Sequence, residues 1–478
     1  MSTQVRPDPV DIPMLIAGQW RPGAAALRDS TDPFRGDLLA RAPESSQIDV
    51  DDAVASSRKV AQEVERTPPY ERAKLLRAIA AGLSEQAEDL AVLMARETGK
   101  ALSDCRSETS RAPGVFQLSA EEALRIEGEH VPLGASPMGD GRLCVITRFP
   151  VGVVAGITPF NAPLNLTCHK IGPAIAAGNS IVLKAPPQAP LTIHRLAQII
   201  QAAGAPAGWL NVLYGDTAGP ALVTHEGVDF ISFTGSTRAG AAIKAASGLK
   251  RVALELGGTG STIVHDDADV ELAARLCARN AHRLAGQSCI SVQNVYVHVS
   301  VQQRFTELLV AEVRRLRVGD PLSGDTDVGT LIDEAAARRV ESWVEEAVGA
   351  GATLLSGGTR SGAQIQPTVL TDVPMDARVI CQEVFGPVES VIGFDDPEQV
   401  YDRLNASPFG LQAGIFTHSV ERAMHAYRRI RTGGLIVNAT STWRTDQMPY
   451  GGVKSSGIGR EGPRYAIRDM TEERLIVL

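Results

Sequence analysis

Cys289 stands in the stretch Gly286-Gln287-Ser288-Cys289-Ile290, and Glu255 opens the segment Glu255-Leu256-Gly257-Gly258 upstream of it. The thiolate is the nucleophile of cysteine chemistry, and a positioned carboxylate can take a proton from water. Together the two can make a thioester and hydrolyse it. Small and polar residues flank Cys289, as a reactive sulfur approached by other backbone requires. Cys105, Cys144, Cys168 and Cys277 lie in helix-like or strand-like surroundings and read as inert buried thiols. The six cysteines show no C-x-x-C spacing, so neither a zinc site, or any other metal, nor a disulfide framework is expected.

Two further stretches carry chemistry. Phe233-Thr234-Gly235-Ser236-Thr237-Arg238-Ala239-Gly240 follows an apolar run and opens a helix-like one. Glycines there let a phosphate approach the N–H groups of a helix N-terminus, although a simple turn has the same composition and G-x-G-x-x-G is absent. Ile157-Thr158-Pro159-Phe160-Asn161-Ala162-Pro163 places an amide side chain at a strand end, where open α/β sheets bind ligands. Asn161 could cap the following helix, or donate its NH₂ to a developing oxyanion.

These groups need a scaffold, and the chain alternates accordingly. Residues 50–126 carry apolar residues at helical spacing. Two apolar segments flanking a Gly/Ser/Pro-rich turn predict a long β-hairpin over residues 128–148. From residue 151 strands are expected at 151–157, 180–183, 211–213 and 230–233, with helices over 164–177 and 191–203 between them. A second set of strands starts at residues 261–264 and 294–299 and ends at 434–438. Such alternation predicts parallel sheets covered by helices, an α/β class. The apolar last ten residues read as a final strand in need of a partner edge, and the hairpin could meet one in another subunit.

A chain of 478 residues, 44% hydrophobic and 21% charged, is an ordinary globular composition, long enough for two or three domains. A net charge of −8 and a pI near 5.7 argue against nucleic acid or an anionic membrane as partner. Met1 to Asp8 shows no apolar run behind a basic start, and nothing approaches a membrane span in length. A cytoplasmic protein is expected.

Thr158-Pro159-Phe160-Asn161, Val182-Leu183-Lys184, Phe233 to Thr237, Glu255 to Gly258, Gly286 to Cys289, Glu383-Val384-Phe385-Gly386-Pro387 and Pro449-Tyr450-Gly451-Gly452-Val453-Lys454-Ser455-Ser456-Gly457 together resemble the aldehyde dehydrogenase superfamily, in its order and spacing. The resemblance spans nearly the whole chain. It implies two doubly wound Rossmann-like domains plus a β-hairpin oligomerisation arm. Residues 1–127 and 147–257 would bind the cofactor, 258–445 would carry the nucleophile, 128–146 and 469–478 would form the arm, and 446–468 would return to the cofactor domain. A homodimer or homotetramer is implied.

It further implies that Cys289 attacks an aldehyde, that Asn161 and the Cys289 N–H hold the oxyanion, and that NAD or NADP takes the hydride. Glu255 would then activate water, with Lys170 and Glu461 relaying protons. Ile157, Thr158, Pro159, Phe160, Phe233, Gly235, Ser236, Leu256 and Gly257 would line the cofactor cleft. Lys184 and Glu383 would hold its two riboses, and Phe385 would pack beside the nicotinamide one.

The pattern departs in two places. Many NAD-preferring relatives carry a glutamate three residues beyond the lysine, where this chain has Pro187; loss of that repulsion makes NADP admissible. In the substrate region Asn161, Asn165 and His169 fall at i, i+4 and i+8, a polar strip in place of aromatics. Arg111 and Arg444 fall in segments bordering the entrance, and arginine forks match carboxylate, sulfonate or phosphate oxygens. With these the chain resembles the lactaldehyde, non-phosphorylating glyceraldehyde-3-phosphate and phosphonoacetaldehyde branches. Ser288 stands where phosphonoacetaldehyde relatives place an arginine. A small polar, anionic aldehyde is therefore expected. Competing readings are neutral aldehydes, acyl transfer to coenzyme A, which the presence of Glu255 opposes, and a silent structural member of the fold.

Overall fold

The computed structural model describes residues 9–23 and 26–478; Met1–Asp8, on which the expectation about a secretory signal rests, lies outside the described residues. The first sheet has eight strands. Five central parallel ones run Arg251–Glu255, Phe230–Thr234, Val153–Ile157, Ser180–Lys184 and Leu210–Leu213, with antiparallel strands at both ends. The chain leaves Val153–Ile157 in one direction for Ser180–Lys184 and returns to its other side with Phe230–Thr234. That is a topological switch point, and a crevice opens outside its carboxyl ends. The strand begins at Val153, not residue 151, because Gly152 has φ of 122°, a left-handed conformation that a continuing strand excludes.

The second sheet has seven strands, in the order Thr353–Ser356, Thr368–Thr371, Val388–Phe394, Asn294–His298, Ser261–Val264, Gln412–Phe416 and Gly434–Val437. All pairs are parallel except that of the Thr353–Ser356 edge. The return segment lays Gly457–Ile458 antiparallel on Arg251–Glu255 and so joins the first sheet.

Helices Gln47–Arg66, Pro69–Glu85, Ala87–Thr98 and Leu102–Ala123 form the N-terminal layer. Helix Pro163–Ala177 is buried along its entire length between this layer and the sheet, which explains its apolar residues on all sides. Proline at its first turn and Gly178 at φ 88° fix its ends. Buried glutamates reach over from the N-terminal layer to cap the sheet's helices. Glu108 Oε1 accepts from the N–H groups of Leu164 and Asn165 at 2.9 and 3.0 Å. Glu97 accepts from the N–H groups of Leu191 and Thr192, and from the Thr192 hydroxyl, at the start of Pro190–Ala202.

The hairpin pairs Glu129–Val131 with Cys144–Pro150, and the terminal strand Thr471–Val477 pairs with the other edge of Cys144–Pro150. The final strand's partner edge is thus within its own chain. Leu475, Ile476, Val477 and Leu478 remain exposed on it. Among the described residues no helix is long and apolar enough to cross a membrane.

Candidate active site

Helix Val270–His282 ends abruptly, and Leu284, Ala285 and Gly286 follow with φ of 55°, 50° and 71°. Two consecutive non-glycine residues in this region cost about 1–3 kcal/mol each, so the surroundings must hold them. Asp104 does, accepting from Leu284 N–H at 2.8 Å and Arg283 Nε at 2.9 Å. Gln287 accepts from Ile332 N–H at 2.9 Å. The turn brings Cys289 into a cavity of roughly 320 Å³ between the two sheets. Its Sγ lies 3.0 Å from the Tyr450 hydroxyl, and burial pushes the thiol up to about 12.

Asn161 stands in the turn leaving Val153–Ile157 and also lines the cavity. Helix Pro163–Ala177 starts after it, with Ala162 at the cap position, so Asn161 is neither the cap nor part of the helical strip expected with Asn165 and His169. Its Nδ2 donates to Gln287 O at 2.9 Å, beside the nucleophile. Its backbone carbonyl accepts from Lys100 Nζ at 3.0 Å, and that ammonium is itself paired with Glu108 in the interior.

Glu255, at the end of Arg251–Glu255, faces the same cavity, and both its carboxylate oxygens are buried with no partner among the described residues. Burial and then the charge of Glu461 push its carboxyl well above the ordinary range. Glu461 behaves oppositely: burial would raise it, but Arg444 and Lys170 bring it down to about 2. Arg444 donates to Glu461 at 2.9 Å, while Lys170 Nζ is 3.7 Å from Glu461 and donates to Thr234 Oγ1 at 2.8 Å. Gly451 underlies Glu255, where a Cβ would meet Oε1 at 2.7 Å.

The remaining candidates divide. Pro159, Phe160, Gly235, Ser236, Leu256, Glu383, Phe385 and Arg444 line the cavity together with Cys289. Ser236 caps helix Thr237–Ala246, whose N-terminus faces the crevice beside Gly235. Phe385, at φ 49°, meets Phe160 edge-on, centroids 6.0 Å apart. Glu383 accepts from Gly258 N–H at 3.2 Å, and burial pushes its carboxyl to about 7. Ile157, Thr158 and Lys184 lie at strand ends on the crevice rim; Lys184 Nζ is 3.9 Å from Asp216, which also pairs with Arg28. Phe233 and Gly257 sit behind the rim, and Pro187 lies in the turn before Pro190–Ala202. An acid-and-lysine rim beside a helix N-terminus fits a dinucleotide's riboses and phosphates.

The substrate candidates Asn165 and His169 do not reach the cavity. Asn165 Nδ2 and His169 Nε2 instead contact Asp446 Oδ1 at 3.3 and 3.0 Å. Arg111 spends its fork on the same Asp446, at 2.5 and 3.2 Å. Ser288 turns its hydroxyl back to Ile290 N–H at 3.4 Å. Arg444 is different: its side chain is 9% exposed and its Nε is buried without a partner among the described residues.

The aldehyde dehydrogenase family model matches residues 20–476. The chain belongs to the aldehyde dehydrogenase family. It is an oxidoreductase, oxidising aldehydes. It is 45% identical to the 3-sulfolactaldehyde dehydrogenase of Priestia aryabhattai over 97% of both proteins. Aldehyde dehydrogenase 21 of Physcomitrella patens, solved with the reaction product succinate, superposes with a TM-score of 0.96 at 36% identity, over 99% of both chains. The NADP-dependent glyceraldehyde-3-phosphate dehydrogenase of Bacillus halodurans, solved with NADP, gives 0.95 at 35% identity, over 98% of this chain and 99% of that one.

Several residues of this aldehyde dehydrogenase's site were not singled out from sequence. Tyr450 stood within a motif without a role. Asp446, Lys100 and Glu108 resemble surface charges until the fold buries them. Arg339 lines the cavity beside Glu383 and donates to Val384 O at 2.8 Å. Its neighbour in sequence gives no sign of this.

Proposed function

We propose that this enzyme oxidises a small polar, anionic aldehyde to its acid through a Cys289 thioester, with NAD or NADP as hydride acceptor. One observation carries the reading. The cavity holding Cys289 also holds a carboxylate, Glu255, and a guanidinium edge, Arg444 Nε, both buried and without a hydrogen-bond partner among the described residues. Buried polar groups left unpaired are costly, and such groups await a ligand. The three relatives described carry a sulfonate, a carboxylate or a phosphate in the compounds of their names.

The chain's own groups have distinct work. Ionised Cys289 adds to the carbonyl carbon, and the oxygen that becomes negative takes hydrogen bonds from Asn161 Nδ2 and the Cys289 N–H. A bound nicotinamide coenzyme would supply the hydride acceptor. Lys184 and Glu383 would hold its riboses, and the Gly235-Ser236 turn its phosphates. Glu255 then takes a proton from the water that attacks the thioester. Its high proton affinity makes it a strong base once ionised, and Lys170 and Glu461 offer that proton a way out. Arg444 would take the substrate's anionic end.

The test is a matched panel of short anionic and neutral aldehydes, each with NAD and with NADP, followed by product analysis. The expected result is higher kcat/KM for the anionic members and free acid as product. Preference for neutral aldehydes, or acyl-coenzyme A in place of acid, would overturn the proposal.

A further inference from the structure

Tyr450 is 4% exposed, and its hydroxyl has one partner among the described residues, Cys289 Sγ at 3.0 Å. Its ring face is covered by Arg444, whose guanidinium carbon lies 3.9 Å from the ring centroid. Its backbone is pinned by a reciprocal pair with Glu461, at 3.1 and 2.6 Å. A phenol so placed cannot turn to water. We propose that Tyr450 is a catalytic residue whose hydroxyl donates to the Cys289 thiolate and so governs when the nucleophile ionises. The proposal rests on Cys289 being the nucleophile.

The charge balance around the sulfur makes such a donor necessary. Burial opposes ionisation of Cys289, and the carboxyl groups of Glu383 and Glu255 oppose it further; Arg444 favours it but is paired with Glu461. Among these neighbours only the Tyr450 hydroxyl touches the sulfur with a proton to share. The phenol keeps that proton, because burial and the adjacent sulfur raise its own pKa well above the usual value. A neutral O–H therefore faces a developing S⁻, and the hydrogen bond strengthens as charge appears on sulfur. The cation over the ring face favours the polarised phenol in the same sense.

The test reads Cys289 without turnover. In coenzyme-free protein, the rate of iodoacetamide alkylation at Cys289 is followed across a pH series by peptide mass. Tyr450→Phe keeps the ring under Arg444 and removes only the hydroxyl. It should slow alkylation about tenfold or more at every pH below the thiol's midpoint. Site-specific 3-fluorotyrosine at position 450, a more acidic phenol, should speed alkylation over the same range, and this arm decides alone if Tyr450→Phe fails to fold. An unchanged rate in either protein, or a faster one in Tyr450→Phe, would overturn the proposal. Persistent turnover in Cys289→Ala would instead remove the nucleophile reading on which it stands.

Discussion

At the level of single residues, Cys289→Ala should abolish oxidation while leaving coenzyme binding intact by fluorescence titration; retained turnover would displace Cys289 from its role. Glu255→Gln should slow acid release by about 10²- to 10⁴-fold and let thioester accumulate, visible by intact mass. Glu255 must be ionised to act and its proton affinity is raised, so acid release falls with decreasing pH well before an ordinary carboxylate would titrate. Glu461→Gln removes a neighbouring negative charge and should move that acid limb to lower pH in single-turnover runs. A limb that stays in place would separate the two carboxylates. Arg444→Ala should raise KM for anionic aldehydes about 10- to 100-fold more than for neutral ones, while the kcat loss from its contacts with Glu461 and the Tyr450 ring falls on both alike. Arg111→Ala should do less, because its fork is already spent on Asp446. Equal losses on neutral aldehydes would reduce both arginines to scaffolding.

Elements bring these residues together, and their ends carry unusual weight. Glu97→Ala would strip the start of Pro190–Ala202 of its acceptor and leave buried N–H groups unpaired, a cost of about 1–3 kcal/mol that the urea midpoint would show. The strands expected at 151–157, 180–183, 211–213, 230–233, 261–264, 294–299 and 434–438 stand within a residue or two of those observed, since apolar runs and their breaks report burial directly, whereas Arg251–Glu255, Thr353–Ser356, Thr368–Thr371, Val388–Phe394 and Gln412–Phe416 were not singled out. That Cys289, Glu255 and Asn161 would stand together was readable because their motifs keep order and spacing, and all three line one cavity. The polar strip was not: Asn165 and His169 share a helical face, but the face turns to Asp446, whose place depends on a segment far along the chain. Lys100 and Glu108 were illegible for a similar reason, since a charged pair in a helical layer has the same composition whether it faces water or Asn161. The left-handed turn before Cys289 leaves almost no mark, as its anchor, Asp104 accepting from Leu284 N–H, comes from a helix far back along the chain.

Across the whole molecule, the terminal strand presents Leu475, Ile476 and Val477 to solvent on a sheet edge. We expect that edge to be covered by a second copy. Sedimentation should give a mass above the 50.7 kDa of one chain, and Leu475→Glu with Val477→Glu should shift it toward the monomer; an unshifted mass would place the contact elsewhere. The N-terminal helical layer is also tied to the loop over residues 320–331 at several points beside the site. Leu102 N–H donates to Pro321 O and Thr330 N–H to Gly99 O, both at 2.8 Å, next to the Asp104 clamp on Leu284. Prying the two apart would therefore unfasten the very loop that aims the sulfur. Coenzyme exchange must then proceed through the mouth of a standing cleft, and the Leu102, Leu284 and Thr330 amides should resist deuterium uptake as strongly during catalysis as at rest.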